Sequence, residues 1–251
     1  MLLFNRIVLR IIFVFFTILI SFSACKKQDE NKCLKSNGKQ TEFVRMLEPF
    51  TKLVIKDKIN LTIKDDSVNY LKLKTPINLE KYIHTDVVDG VLYISNENKC
   101  NWLRSYKIDI DIELSSNSLQ IVECKGAGII KTNAPLEKDY FEINIHDASS
   151  TVQLMLKANN SKVQLHNGCS DIYMSGSANN SMVYNAGTGN IYMQNYTTKS
   201  TDVRHKGTGQ CHVKASDFLT ALLEYVGDIH IYGNPANKQM LDNGEGQIIE
   251  H

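Results

Sequence analysis

This sequence lacks an excess of charge of either sign. Its 28 Lys and Arg residues nearly balance its 27 Asp and Glu residues, so the formal net charge is +1. Proteins that bind nucleic acid neutralise phosphates with basic patches, and such domains are strongly basic. We therefore expect no nucleic-acid partner.

The cysteines lack the C-x-x-C spacing that is typical of zinc sites, so we expect no metal site. Cys25 lies in an N-terminal export motif, and the other five cysteines are Cys33, Cys100, Cys124, Cys169 and Cys211. Because five is odd, at least one of them is unpaired if every disulfide is internal. Cys33 and Cys100 lie in polar, loop-like sequence and are the first pair to test, but the sequence leaves the pairing open.

The sequence also lacks the common motifs of nucleophilic catalysis and dinucleotide binding. There is no G-x-S-x-G nucleophile motif. The glycine-rich stretch AGTGNIYM at 186–193 has Tyr192 where a dinucleotide loop needs a third glycine. Arg204, Lys206 and Lys214 are the nearest approach to the residues of a polysaccharide-cleaving enzyme. We therefore expect a protein that is not an enzyme and uses no cofactor, with polysaccharide cleavage as the less favoured alternative.

A carboxylate cluster, Asp109, Asp111 and Glu113, alternates with apolar residues in the segment KIDIDIEL at 107–114. Alternate residues of a strand point to the same face, so these acids lie opposite the apolar face. We interpret them as a solvated strand face rather than as groups for acid–base catalysis. A calcium contact is a weaker alternative.

The longest apolar run lies at the N-terminus, where residues 11–20 follow Arg6 and Arg10 and precede the small residues of SFSAC. A positive start, a short apolar stretch and small residues are typical of a secretory signal peptide. The run is too short to favour a retained membrane helix. FSAC resembles a bacterial lipobox, so we expect residues 1–24 to be a lipoprotein signal peptide and Cys25 to be lipidated.

The segment at 26–40, KKQDENKCLKSNGKQ, has almost no apolar residues. This composition predicts a flexible tether, so we expect residues 25–42 to join the lipid to a domain at 43–251. An Asp directly after the lipidated cysteine would resemble an inner-membrane retention signal. This chain has Lys26 at that position, which favours the outer membrane. The acidic stretch QDE at 28–30 resembles a surface-export signal, and the choice between the periplasmic side and the cell surface stays open.

A repeat of about 20 residues runs through the second half of the chain. A polar residue precedes each short alternating segment, at Thr151, Asp171, Asn190, Gln210, Asp228 and Gln247. The steps between these positions are 20, 19, 20, 18 and 19 residues. Such a period is the signature of a solenoid, and the glycines before the segments indicate turns. We expect one all-β domain, a right-handed parallel β-helix with coils of about 20 residues.

Strand alternation divides each repeat into inward and outward positions. Two mostly apolar columns are predicted to face inward: Val152, Ile172, Ile191, Cys211, Ile229 and Ile248, and then Leu154, Met174, Met193, Val213, Ile231 and Glu250. The residue between them faces outward on each coil. This outward column consists of Gln153, Tyr173, Tyr192, His212, His230 and Ile249.

Equivalent residues of stacked coils lie about 4.8 Å apart. Tyr173, Tyr192, His212 and His230 are therefore predicted to form an aromatic ladder, the candidate ligand face. Rings stacked across strands stabilise a sheet without binding anything. A flat row of aromatic faces, with Gln153 and Gln194 nearby, would also suit the apolar face of a sugar. The sequence leaves both interpretations open.

Three further histidines share a register in the repeat. His146 and His166 each stand five residues before a polar repeat position, which predicts neighbouring places on adjacent coils. His205 has the same spacing two coils later. No carboxylate completes a metal ligand set at this column, so we expect packing at a turn.

Five segments of the chain together resemble one known family. They are FTKLVIKDKINLTIKDD at 50–66, VNYLKLKT at 68–75, HTDVVDGVLYIS at 84–95, KIDIDIELSSNSLQIVECKGAGII at 107–130 and GDIHIYGNP at 227–235. In this order they are similar to the family named "putative auto-transporter adhesin, head GIN domain" (DUF2807), over roughly residues 43–249. The chain departs from the family pattern at Lys58, Ala148 and Gln210, where the family often has glycine.

The resemblance implies an exported β-solenoid, in many members a lipoprotein, with an adhesive role. We therefore expect an outer-membrane or surface lipoprotein that acts as a non-catalytic binding module for a glycan or an extracellular or periplasmic protein. Its N-terminal lipid would attach it to the membrane. The competing expectation is structural, because an open last coil ending in QIIEH could stack on another copy to form a homo-oligomer.

Overall fold

A computed structural model gives the structure of residues 37–98 and 109–251. The predicted signal peptide at 1–24 and Cys25 lie outside the described residues, so export and lipidation stay predictions. The same holds for most of the predicted tether at 25–42. Among the described residues, no helix is long and apolar enough to cross a membrane.

Three cysteines lie in the described residues, and all three are free thiols. Cys124 and Cys211 are buried, whereas Cys169 is exposed. Burial raises the pKa of the Cys211 thiol to about 12, so this thiol is protonated and unreactive near neutral pH. Cys33 and Cys100 lie outside the described residues, and a disulfide between them stays a prediction.

The described residues form one sheet of 16 strands. The strands in chain order are β1 Gln40–Met46, β2 Lys52–Lys58, β3 Asn60–Lys64, β4 Tyr70–Pro76, β5 Ile83–Val88, β6 Val91–Asn96, β7 Asp111–Ser115, β8 Ile121–Thr132, β9 Leu136–Ile145, β10 Ser149–Leu165, β11 Asp171–Asn185, β12 Ile191–His205, β13 Cys211–Leu223, β14 Ile229–Tyr232, β15 Asn237–Asp242 and β16 Ile248–Glu250. The only helical element in this part of the chain is a 3₁₀ turn at Glu80–Tyr82. The all-β prediction is confirmed, and the first strand begins three residues before the expected domain start at 43.

From β8 onward, each strand pairs in parallel with the equivalent strand of the next coil. The observed register joins the residues of the first predicted inward column in sequence: Val152, Ile172, Ile191, Cys211, Ile229 and Ile248. The structure is a β-solenoid of about 6 turns, which confirms the predicted stack of coils. Its right-handedness stays a prediction.

The two predicted inward columns form the core of the solenoid. The first is fully buried from Val152 to Ile229, and the second is at most 3% exposed from Leu154 to Ile231. Burial of such apolar area contributes roughly 25 cal/mol per Å², so the core fixes which side chains face out. Glu250 breaks the pattern, because it is exposed and pairs with Lys238 instead of entering the core.

The polar repeat positions connect successive coils through hydrogen bonds. Asn190 donates its backbone N–H and its side-chain amide to Asp171 Oδ1, at 3.0 and 2.9 Å. The backbone N–H of Gln210 donates to Asn190 Oδ1, and that of Gln247 donates to Asp228 Oδ1, both at 2.8 Å. These side chains therefore accept hydrogen bonds from turn backbone that the strand ladder leaves unpaired. This explains why a polar residue recurs before each strand.

The first part of the solenoid differs from the regular coils because it contains antiparallel strands. β4 pairs antiparallel with both β1 and β7, while β2 and β3 pair in parallel with β8. β5 and β6 form a hairpin whose two-residue turn is Asp89-Gly90, with φ values of 50° and 73°. Positive φ at both turn residues matches the twist of a hairpin. Alternation of apolar and polar residues is typical of such strands but does not specify their partners.

Candidate functional site

The aromatic ladder lies on one face of the solenoid. Its ring centroids are 4.8 Å apart for Tyr173 and Tyr192, 5.1 Å for Tyr192 and His212, and 4.3 Å for His212 and His230. These distances follow the separation of neighbouring strands, because each ring occupies the equivalent position of its coil. Tyr173 is 42% exposed, and the other three rings are half-buried. The structure thus brings all four predicted residues together, and their role as a ligand face stays a prediction.

Two further rings, Tyr232 and His251, extend the ladder sideways. Their centroids are 4.5 Å apart, and the His251 ring also stacks on His230 at 5.2 Å. Sequence reasoning missed both residues, although a signal was present. Tyr232 stands two residues after His230, and His251 stands two residues after Ile249, so alternation places both on the outward face.

The rings of the ladder are nearly parallel, with interplanar angles of 17°, 28° and 3°. Each ring therefore covers a face of its neighbour, and the ladder directs ring edges toward solvent. The interpretation as a flat row of aromatic faces is wrong, because equivalent residues stack face to face along the coils. The exception is Tyr173. Its partner on the preceding coil is Gln153, so one face of Tyr173 has no aromatic neighbour among the described residues.

The histidines of the ladder are held as neutral imidazoles. Burial, and then the neighbouring His230 and His251, lower the pKa of His212 to about 4. Burial and His251 also lower the pKa of His230. The nitrogens have neutral contacts: His212 Nδ1 lies 3.2 Å from the Tyr232 hydroxyl, and His212 Nε2 lies 3.2 Å from Gln210 Oε1. The His212 and His230 rings are therefore uncharged near neutral pH.

This lowered pKa predicts a loss of stability in mild acid. The unfolded chain takes up the His212 proton near pH 6.5, whereas the folded chain resists it until about pH 4. The folding free energy therefore weakens as the pH falls from about 6.5 to 4, by about 1–2 kcal/mol once solvent screening is allowed for. Thermal unfolding across this range should show a steeper loss for the wild type than for His212→Gln. Parallel curves would contradict the assignment.

A groove of about 260 Å³ opens beside the first two rings of the ladder. Its lining includes Tyr173, Gln153, Met155 and Gln194. Gln194 Oε1 is buried and has no hydrogen-bond partner, although a buried carbonyl oxygen is normally paired. The groove thus joins an aromatic face to an unsatisfied acceptor.

The second histidine column is only partly as predicted. His146 and His166 stack with ring centroids 4.2 Å apart, as adjacent coils require. The register predicted for His205 is wrong, because His205 pairs with Asn185, which in turn pairs with Leu165. His205 therefore lies in the inward column of Leu165, and it is fully buried. The connection from Asn185 to Ile191 is one residue shorter than the connection from Leu165 to Ile172. A position counted back from the next polar residue therefore falls in a different column after the shorter connection.

The acidic strand face is occupied by structural contacts. Glu113 lies 2.8 Å from Lys64 and 3.7 Å from Lys72. Asp111 Oδ1 accepts a hydrogen bond of 3.0 Å from the Asn60 amide. These pairs bridge neighbouring strands, as cross-strand contacts of opposite charge do. The carboxylates therefore have a structural role that needs no catalysis.

The basic residues near the end of β12 are also paired. Arg204 Nη2 lies 3.0 Å from Glu224 Oε1, and Lys206 Nζ lies 3.4 Å from the same oxygen. Glu224 thus forms ion pairs with two of the three basic residues, Arg204, Lys206 and Lys214, that are the nearest approach to a polysaccharide-cleaving site. In the part of the chain that the structure describes, no group of three or more His, Cys, Asp or Glu residues is placed to hold a metal ion.

A family model described as "Putative auto-transporter adhesin, head GIN domain" matches residues 49–235. The chain belongs to this family. The resemblance inferred from the five segments is therefore confirmed, and the GIN-domain match covers both the antiparallel first part and the regular coils. No protein in a search of curated sequences matches the chain.

Solved structures of proteins from Bacteroides and Parabacteroides species share this fold. A protein described as a putative adhesin from Bacteroides fragilis is 22% identical, with a TM-score of 0.77, over 85% of this chain and 97% of that chain. A putative adhesin from Parabacteroides distasonis is 19% identical, with a TM-score of 0.66, over 85% and 98%. A protein from the same species described as a putative lipid binding protein is 18% identical, with a TM-score of 0.60, over 86% and 98%. At these identities the likeness shows the fold alone.

Proposed function

We propose that this GIN-domain protein is a non-catalytic surface binding module whose aromatic ladder face contacts a glycan or a protein. The observation that carries the proposal is the row of stacked rings on the outside of the solenoid, beginning at the exposed Tyr173. Aromatic rings with a polar tip are favoured at binding surfaces because they supply apolar contact and a hydrogen-bonding group together. The adhesin description of the family supports the same role.

The charges of the domain favour binding over catalysis. The acids that could act in hydrolysis lie in ion pairs and amide contacts, as Glu113 and Asp111 do. The histidines of the ladder face are neutral, with the pKa of His212 lowered to about 4. A general acid or base works best with a pKa near the operating pH, and burial moves the pKa values of His212 and His230 away from neutral pH. The surface suits contact better than proton transfer.

We also propose that the protein is an outer-membrane lipoprotein. Residues 1–24 have the features of a secretory signal peptide, and Cys25 follows small residues as in a lipobox. A lipid on Cys25 would place the solenoid at the membrane surface, on either its periplasmic or its outer side. Mass spectrometry of the mature N-terminus tests this, because an unmodified Cys25 or an uncleaved signal would contradict it.

The alternative function, assembly by stacking of solenoid ends, is less favoured by the last coil. Lys238 and Glu250 stand on this coil in register with the buried Leu219 and Ile231 of the preceding coils, and they form an ion pair with each other at the solenoid end. Inward-pointing charges discourage edge-to-edge association. Sedimentation velocity over a concentration series separates the two functions, because a binding module stays monomeric whereas a stacking protein grows.

The binding function is tested by incubating the full-length protein with an array of glycans and matrix proteins. We expect selective binding to a small number of related ligands, since one face with fixed geometry recognises one class of surface. No binding to any ligand on the array, together with a sedimentation coefficient that rises with protein concentration, would favour the assembly function instead.

A further inference from the structure

The groove beside Tyr173 has the features of a binding site for a single ring. Tyr173 starts the ladder, and Gln153 stands at the equivalent place on the preceding coil. One face of the Tyr173 ring therefore has a glutamine and no ring as its neighbour on the adjacent coil. A flat apolar ring that packs on this face in place of the Gln153 side chain would continue the stack by one step, at about the spacing of neighbouring coils.

A β-bulge in β12 shapes the floor of the groove. Tyr173 pairs with Tyr192, but the next pair along the strands is Ser175 with Asn195, so β12 contains one extra residue in this interval. Bulges of this kind disrupt the ladder locally and redirect side chains, often beside functional sites. The interval with the extra residue contains Gln194, whose Oε1 is buried without a hydrogen-bond partner.

The chemistry of the lining restricts the ligand. All of the residues that line the groove are uncharged: they are Thr132, Gln153, Leu154, Met155, Tyr173, Met174, Ser175, Tyr192, Gln194 and Asn195. An anionic ligand would lose hydration there without gaining an opposite charge. The volume of about 260 Å³ lies below the range of roughly 300–1,000 Å³ for drug-sized ligands. The groove therefore suits one small, neutral ring that has an apolar face and hydroxyl donors.

A neutral hexopyranose combines these properties. The C–H groups on one face of the sugar pack on an aromatic ring, and its hydroxyls donate hydrogen bonds around the edge. We propose that the groove binds one neutral hexopyranose unit, stacked on the face of Tyr173 that has no aromatic neighbour, with a sugar hydroxyl donating to Gln194 Oε1. This inference rests on the proposed binding function and specifies its ligand class and its first subsite.

The test measures binding of methyl glycosides to the full-length protein by saturation-transfer NMR. The neutral probes are the methyl glycosides of galactose, glucose and mannose, and the acidic comparison is methyl glucuronide. We expect at least one neutral probe to bind at millimolar concentration and the glucuronide to bind more weakly. Equal binding of the glucuronide, or no binding of any neutral probe, would overturn the inference.

Two variants and a control locate the site. Tyr173→Ala removes the stacking face and should weaken binding by about tenfold. Gln194→Leu removes the acceptor and should weaken binding by about three- to tenfold, while its thermal midpoint equals or exceeds that of the wild type. Tyr225→Ala, at a 51% exposed tyrosine outside the groove, should leave binding unchanged.

The outcomes separate this inference from the broader function. Because Gln194→Leu keeps every ring of the ladder, it tests the groove even where loss of Tyr173 disturbs the coil. Undiminished sugar binding by Gln194→Leu and Tyr173→Ala would place the sugar elsewhere and overturn the inference. Array binding that depends on the ladder, without any methyl glycoside binding, would retain the binding function and reject the hexopyranose subsite.

Discussion

Gly209→Ala is expected to destabilise the protein by about 4 kcal/mol or more. A Cβ atom at this position would lie 2.0 Å from the carbonyl oxygen of Gly189 on the preceding coil. The contact is with backbone, so no side-chain rotation relieves it, and the two coils must separate. Urea unfolding of the full-length protein measures the loss.

Gly90→Ala is the matched control for Gly209→Ala. Gly90 has a φ of 73°, and a Cβ atom there meets nothing within 4 Å. Its substitution therefore introduces only the strain of a left-handed residue, about 1–2 kcal/mol. Similar losses in the two variants would contradict the view that close backbone packing between coils, and not backbone conformation, requires Gly209.

Tyr196→Ala is expected to cost about 3–5 kcal/mol. Tyr196 is the largest fully buried side chain of residues 37–98 and 109–251, and burial raises its pKa to about 12. Its partner in the neighbouring coil is Gly176, so a large side chain lies beside a position that has none. Removing the ring leaves a cavity that the rigid coils cannot close by relaxation.

Two controls accompany the Tyr196 variant in the same urea experiment. Tyr196→Phe keeps the ring and should retain most of the stability, because the cavity does not form. Tyr225→Ala removes an exposed ring and should change the free energy of unfolding by less than about 0.5 kcal/mol. A loss at Tyr225 equal to that at Tyr196 would contradict the core assignment.

The core columns and the aromatic ladder could be predicted from the sequence because two regular features determine them. The period of about 20 residues sets which positions stack, and alternation sets which of them face inward. Tyr173 and Tyr192 therefore had their neighbours assigned without knowledge of any long-range contact. The error at His205 arose where the turn lengths differ, because the residue missing from the shorter turn shifts the count by one.

The bulge in β12 could not be predicted in this way. Alternation from Ile191 would place Asn195 inward and Tyr196 outward, yet Asn195 is exposed and Tyr196 is buried. The inward side changes at the extra residue, and its position depends on pairing with a strand one coil away. Gln194, with its unsatisfied oxygen, lies in the same interval of β12. Local sequence patterns therefore could not predict the groove, although they predicted the ladder beside it.

We propose that the aromatic ladder face, from Tyr173 to His230, binds the ligand. The most direct test compares the wild type with Tyr173→Ala/Tyr192→Ala on the ligands that the array identifies. Tyr184→Ala/Tyr225→Ala serves as the control, since neither tyrosine lies in the ladder. We predict that the ladder variant loses binding by at least about tenfold while the control retains it. Full binding by the ladder variant, with its fold intact, would contradict the claim.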